Sequence, residues 1–184
     1  MKHTFTIILA FFIAMIIAGC KGKTENNKNT LADSIVSTVN DTALYGVIGE
    51  GTTMNVLELL SDGGKTLEFE IDPDGESQVI GGLYAGDRVT LTFQDNGEGT
   101  KTVTRLVNLT SILGWWTSLD RNFRLQEDGV IESSGISETH PYTHWAMSNT
   151  QIILNTDTFD VLQLGPDSMS LENSEGIYVY KRQK

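Results

Sequence analysis

Two stretches of strict alternation limit what this chain can fold into. Leu67, Phe69 and Ile71 alternate with Thr66, Glu68 and Glu70, and Val89, Leu91 and Phe93 alternate with Arg88, Thr90 and Thr92. Successive side chains of a strand point to opposite faces, so the pattern puts one face on a core and the other in water. Asp62-Gly63, Asp74-Gly75, Asn96-Gly97 and Asp128-Gly129 punctuate the apolar runs. Asp-Gly and Asn-Gly accept the positive φ that tight hairpins demand. Met54 to Leu60 is more continuously apolar and reads as a strand buried on both faces. From Leu44 on there is no long run of helical period, so the expectation is an all-β body of small antiparallel β barrels.

The N-terminus is of a different kind. Lys2 and His3 precede an apolar run from Phe5 to Ile17, broken only by Thr6, and small residues Ala18 and Gly19 follow. A basic start, a short apolar core and a small-residue cut site are the parts of a secretory signal. A bilayer span needs about 20 apolar residues, and Lys21-Gly22-Lys23 ends this run too early for that. Ile17-Ala18-Gly19-Cys20 resembles a bacterial lipobox, and Cys20 is the one cysteine of the chain. The resemblance implies a signal peptide over 1–19, removal of which leaves Cys20 as a lipid (palmitate-type) attachment site. Stable anchoring takes more than one acyl chain, which lipoprotein cysteines carry. Lysine after the cysteine, where inner-membrane lipoproteins often have aspartate, implies an outer-membrane location. A lipidated Cys20 also leaves no thiol for a disulfide, a zinc site or a nucleophile.

Residues 20–42 are polar and read as a flexible, lipidated tether. Asp33-Ser34-Ile35 and Asp41-Thr42-Ala43 within it, and Asp167-Ser168-Met169 near the end, resemble the triplets that some gut bacteria O-glycosylate on exported proteins. The whole chain carries 13 basic and 24 acidic side chains, a formal net charge of −11. That balance excludes nucleic acid as a partner and a second, electrostatic membrane contact.

Residues 43–111 resemble an OB-fold barrel. A long Gly-broken first strand (Tyr45 to Gly51, then Thr53 to Leu60) leads through a tight turn to Thr66–Ile71. Gly86-Asp87-Arg88-Val89 enters a fourth strand, and Lys101 to Leu109 closes the barrel. OB folds often bind oligonucleotides or oligosaccharides on an aromatic face. Here the few basic residues turn that implication toward glycan, protein or a purely structural barrel.

Residues 112–184 hold all three tryptophans. Leu113-Gly114-Trp115-Trp116 resembles the Gly-x-Trp that opens lipocalin barrels, and the later apolar runs resemble the lipocalin-like domains of exported bacterial lipoproteins. The resemblance implies that a basic residue of the last strand, Arg182 or Lys181, packs over Trp116. A full eight-stranded lipocalin needs roughly twice the residues available here, so a reduced barrel, or one barrel shared by both halves, is expected.

Adjacent tryptophans on a strand point to opposite faces, so one of Trp115 and Trp116 faces the core and the other a rim, an interface or a ligand. Trp115, Trp116, Tyr142 and Trp145 are therefore the candidate ligand-binding aromatics. His140 and His144 are four apart, as a metal pair would be, with Glu138 or Asp120 to complete it, but Pro141 breaks regular structure between them. The acid pairs Asp72/Asp74, Asp95/Glu98 and Glu127/Asp128 sit in turns, which explains them. No Gly-x-Ser-x-Gly, no phosphate-binding glycine loop and no His-Glu-x-x-His occurs. The chain reads as a non-enzymatic, cofactor-free envelope lipoprotein. It binds a small apolar molecule, a glycan or a protein, or serves as a structural subunit of an outer-membrane complex.

Overall fold

The computed structural model describes residues 41–72, 75, 77–134 and 140–183. The expected signal peptide, Cys20, most of the expected tether and the Asp33 triplet lie outside them.

The first barrel is built from β1 (Leu44–Ile48), β2 (Val56–Ser61), β3 (Thr66–Glu70), β4 (Gln78–Ile80), β5 (Arg88–Gly97) and β6 (Thr100–Asn108). β1 pairs with β2 and β5, β2 with β3, and β6 with β5, all antiparallel, while β3 meets β6 in parallel at Glu70 and Thr102. The circuit β1-β2-β3-β6-β5 closes on itself, with β4 laid parallel along the outer part of β6. Inside are Ile48, Leu57, Leu59, Phe69, Val89, Leu91, Val103 and Leu106, with Phe93 edge-on to Phe69 at 5.2 Å. The alternating positions of β3 and β5 thus supply the core, as the period requires.

Three expectations need correction. The long first strand is two strands, β1 and β2, hydrogen-bonded to each other across a loop that starts at Gly49. The apolar stretch from Met54 is buried on one face only: Leu57 and Leu59 point inward, while Met54 is 81% exposed and Leu60 46%. The β5–β6 hairpin reverses at Glu98-Gly99 rather than at Asn96-Gly97: Gly97 pairs with Thr100, Asn96 is the extra residue of a bulge in β5, and Glu98 and Gly99 take the positive φ of the turn (+54° and +86°). Asp62-Gly63 does form the β2–β3 turn, closed by Gly64 N–H donating to the Ser61 carbonyl at 2.8 Å. Asp74 lies outside the described residues.

A one-turn helix, α1 (Leu109–Ile112), leads out of β6. Its N-cap Asn108 is fully buried, accepts from Ser111 N–H at 2.8 Å, and donates to Gly82 O at 3.1 Å and Asp87 Oδ2 at 2.7 Å.

The second barrel is an up-and-down meander: β7 (Gly114–Thr117), β8 (Asn122–Leu125), β9 (Ile131–Ser133), β10 (Trp145–Ser148), β11 (Gln151–Leu154), β12 (Asp157–Leu164), β13 (Ser168–Asn173) and β14 (Gly176–Arg182). β14 returns to β7 through Lys181–Thr117 and Arg182–Trp116. A single bridge, Val130 to His144, narrows the remaining gap between β9 and β10. Eight strands do fit between Ile112 and the C-terminus, against expectation, because most are short and joined by tight hairpins. The two halves form separate sheets, not one shared barrel.

The barrels are knitted together. Ile80, Val107, Leu109 and Ile112 from the first half belong to the core cluster of the second. Arg105 donates to the Val161 carbonyl at 2.6 Å. Thr90, expected in water, is fully buried because its neighbours across the sheet, Tyr45 and Val107, both pack against the second core. Gly81 sits at the junction with φ +96°; a Cβ there would meet Asn108 Cβ at 2.8 Å and Leu164 Cδ2 at 2.9 Å.

Asp41 and Thr42 are not tether. Asp41 Oδ1 accepts from Ala43 N–H at 2.9 Å and from Asn149 N–H at 3.1 Å, and its Oδ2 accepts from the Tyr45 hydroxyl. Thr42 N–H donates to Asn149 Oδ1 at 2.8 Å. This latch clamps the entry of the chain onto the β10–β11 turn. Replacing Asp41 with alanine removes three charge-assisted bonds and should destabilise the protein by about 2 kcal/mol. Asp41→Asn, which keeps one acceptor oxygen for the Ala43 and Asn149 N–H groups but puts a donor where Oδ2 accepts from Tyr45, should lose less. Equal thermal midpoints for wild type and Asp41→Ala would refute the latch.

Candidate binding surface on the second barrel

β7 carries Gly114, Trp115, Trp116 and Thr117, and its alternation sorts the two tryptophans. Trp116 points inward, is fully buried, and donates Nε1–H to the Ile112 carbonyl at 2.8 Å. The Arg182 guanidinium lies over its ring, 4.1 Å from the centroid, and donates to the carbonyls of Leu113 at 2.6 Å, Ser111 at 2.5 Å and Pro166 at 2.8 Å. Arg182, not Lys181, is thus the cap. Burial depresses its ordinarily very high pKa, and Asp167 opposes that shift. Gly114 has φ +112°, and a Cβ there would stand 2.9 Å from the Arg182 guanidinium, so no other residue fits the turn into β7 without displacing the cap.

Tyr142 and Trp145 are also core. Trp145 is 7% exposed and donates Nε1–H to the Gln126 carbonyl at 2.7 Å. Tyr142 stands edge-on to Phe123 at 5.6 Å, and Phe123 edge-on to Tyr180 at 5.1 Å. Arg121 lies 4.1 Å over the Tyr142 ring. Burial raises the phenol pKa of both tyrosines. An eight-stranded barrel has an interior just wide enough for side chains to fill. Here Trp116, Phe123, Trp145, Ile152, Phe159 and Tyr180 meet in one cluster along it.

That leaves Trp115. It faces outward, half-buried, on a sheet face shared by β14, β7, β8 and β9. Its backbone neighbours are Arg124 across β8 and Gln183, whose N–H donates to the Trp115 carbonyl at 3.1 Å. Trp115, Asn122, Ser134 and Gln183 line an open depression of about 360 Å³. The sequence pairs the two tryptophans but does not show that Asn122, Ser134 and Gln183 surround one of them; cross-strand register decides that.

His140 is exposed, and His144 is half-buried with its Nδ1 2.9 Å from Thr143 Oγ1. Among the described residues no group of three or more His, Cys, Asp or Glu side chains stands ready for a metal ion, and Glu138 lies outside them. A second open depression, between the β11–β12 and β13–β14 ends, is lined by Asp157, Asp160, Glu172 and Glu175 among others. Among the described residues no helix is long and apolar enough to cross a membrane.

No protein-family model matches this chain, and no curated protein or solved structure does either.

Proposed function

We propose that the chain is a lipid-anchored outer-envelope protein whose two-barrel body is a non-enzymatic binding module. The single observation that carries the binding mode is the occupied interior of the second barrel: the aromatic residues expected to greet a ligand are packed against one another. A small apolar ligand inside the barrel is therefore the least supported of the expected ligands. Binding is assigned to the outer face, where Trp115 is the aromatic left facing out. The Cys20 anchor is supported by Ile17-Ala18-Gly19-Cys20 and by the absence of any other cysteine. The latch at Asp41 then makes the tether leave the body at a defined place, beside the β10–β11 turn.

The test is metabolic labelling with a radioactive or alkyne fatty acid in a bacterial host that processes lipoproteins. The wild-type protein should take up label and fractionate with the outer membrane. Cys20→Ser should do neither. Label in Cys20→Ser, or none in wild type, refutes the anchor.

A second reading, a structural subunit of an envelope complex, is favoured by the exposed apolar side chains of Leu119, Leu162, Ile177 and Val179 on the second barrel. In-cell crosslinking from position 177 discriminates: a structural subunit gives one stable, stoichiometric adduct that persists without any small ligand.

A further inference from the structure

We infer that the Trp115 face is a glycan-binding platform, a specificity that rests on the binding-module reading above. The depression has one flat aromatic surface, and among the described residues its other lining side chains are neutral amides or hydroxyls: Asn122, Ser134 and Gln183. A pyranose ring presents an apolar C–H face and a rim of hydroxyls, each both donor and acceptor. An indole matches the first, and amides and hydroxyls, which also both donate and accept, match the second. Pockets for apolar ligands differ, being mostly hydrophobic with few polar groups.

The shape favours the same class. The depression is open, lies across four strands, and has Arg124 and Glu132 side by side on its β8–β9 flank. An open strip suits a chain that passes across it, whereas a compact molecule needs enclosure on most sides. Charge narrows the choice further. The chain is acidic, at −11, and the described lining residues carry no charge, so a neutral saccharide fits better than a phosphorylated or sulfated one. Trp115 is held in place for this role. Its carbonyl accepts from Gln183, its strand is fixed by the Trp116–Arg182 stack, and Ser134 N–H donates to the Asn122 carbonyl at 3.0 Å, which joins β8 to the far wall.

The position also provides its own probe. Trp116 is fully buried and Trp145 nearly so, so Trp115 is the tryptophan most open to solvent and to a quencher. The experiment uses the purified chain without its signal segment and four neutral hexasaccharides: cellohexaose, xylohexaose, chitohexaose and maltohexaose. At millimolar concentration at least one should protect tryptophan fluorescence from acrylamide quenching and show saturable binding by calorimetry. Trp115→Ala should weaken that binding by about tenfold or more, the factor that 1.4 kcal/mol represents. Trp115→Phe, which keeps a smaller ring, should retain part of it. Gln183→Ala should weaken binding while leaving the thermal midpoint unchanged. Trp115→Ala should lower the thermal midpoint by no more than about 4 °C, since the side chain lies outside the core.

No binding of any of the four sugars, or binding that survives Trp115→Ala, overturns the glycan assignment. If a protein from envelope extracts binds through Trp115 with no saccharide dependence, the glycan assignment falls and the binding module stands. If neither sugar nor protein depends on Trp115, both fall.

Discussion

Replacing Trp116 with alanine should lower stability by about 4 kcal/mol and the thermal midpoint by about 10 °C. Phe or Trp to Ala in a core costs about 3–5 kcal/mol from lost burial and the cavity left behind. Here two further losses accompany it. The Ile112 carbonyl loses its indole donor, and the Arg182 guanidinium loses the ring beneath it. Arg182 itself ties Leu113, Ser111 and Pro166 together, so the damage spreads to the hinge between the barrels and to the β12–β13 turn. Arg182→Lys keeps a charge but not the planar fork, and should cost about 2 kcal/mol. In a double-mutant cycle the two changes should be non-additive, because each removes the partner of the other. Trp115→Ala, one residue away, is expected to cost under about 1 kcal/mol. Differential scanning calorimetry on the four variants checks this. A Trp116→Ala protein as stable as Trp115→Ala would refute the assignment of faces on β7.

The contrast between those neighbours shows what could be read from the chain alone. Alternation at Leu67-Phe69-Ile71 and Val89-Leu91-Phe93 is a local property, and both runs became strands with the expected face inward. Gly114, Trp116 and Arg182 form one constellation whose parts were visible as residues, though not which basic side chain would cap the ring. What could not be read was non-local. Thr90 alternates like a solvent-facing residue and is buried, because a second barrel covers that part of the sheet. Asp41 and Thr42 have tether composition but are held by Asn149, more than a hundred positions later in the chain. The hairpin reverses at Glu98-Gly99 because Asn96 is the extra residue of a bulge and Gly97 still pairs with Thr100, and a bulge has no strong local signal. That eight strands fit after Ile112 does not follow from the sequence, because it depends on how short the hairpins are. The candidate site suffered most. Tyr142 and Trp145 stand out by their chemistry, but their burial is decided by strands distant in sequence, and the residues around Trp115 are assembled by the closure of β14 onto β7.

Raising the pH above 10 should unfold this protein steeply, and its tyrosines supply the reason. Tyr45, Tyr142 and Tyr180 all have phenol pKa values raised, with burial as the largest cause in each; Asp41 adds to the shift of Tyr45, and Tyr142 to that of Tyr180. In the unfolded chain a phenol titrates near 10. Between that value and the higher folded one, the unfolded chain has lost a proton that the native chain keeps. The stability these phenols provide is therefore complete below about pH 10 and is lost as pH rises toward the folded pKa. Each contributes a slope of about 1.4 kcal/mol per pH unit, so three together approach about 4. A fold stable by about 5–15 kcal/mol does not survive many units of that slope. Tyr45 and Tyr180 lie in different barrels, so ionising either strains a different part: Tyr45 the latch to Asp41, and Tyr180 the contact with Phe123. Circular dichroism and phenolate absorbance should be followed together through the transition. The phenols of these three residues should ionise in step with the loss of β signal. Tyr180→Phe keeps the ring and removes the ionisable group, and should flatten the slope by about one third. If all the phenols ionise while the β signal is unchanged, these hydroxyls are not buried as described and the inward face of β14 must be assigned differently.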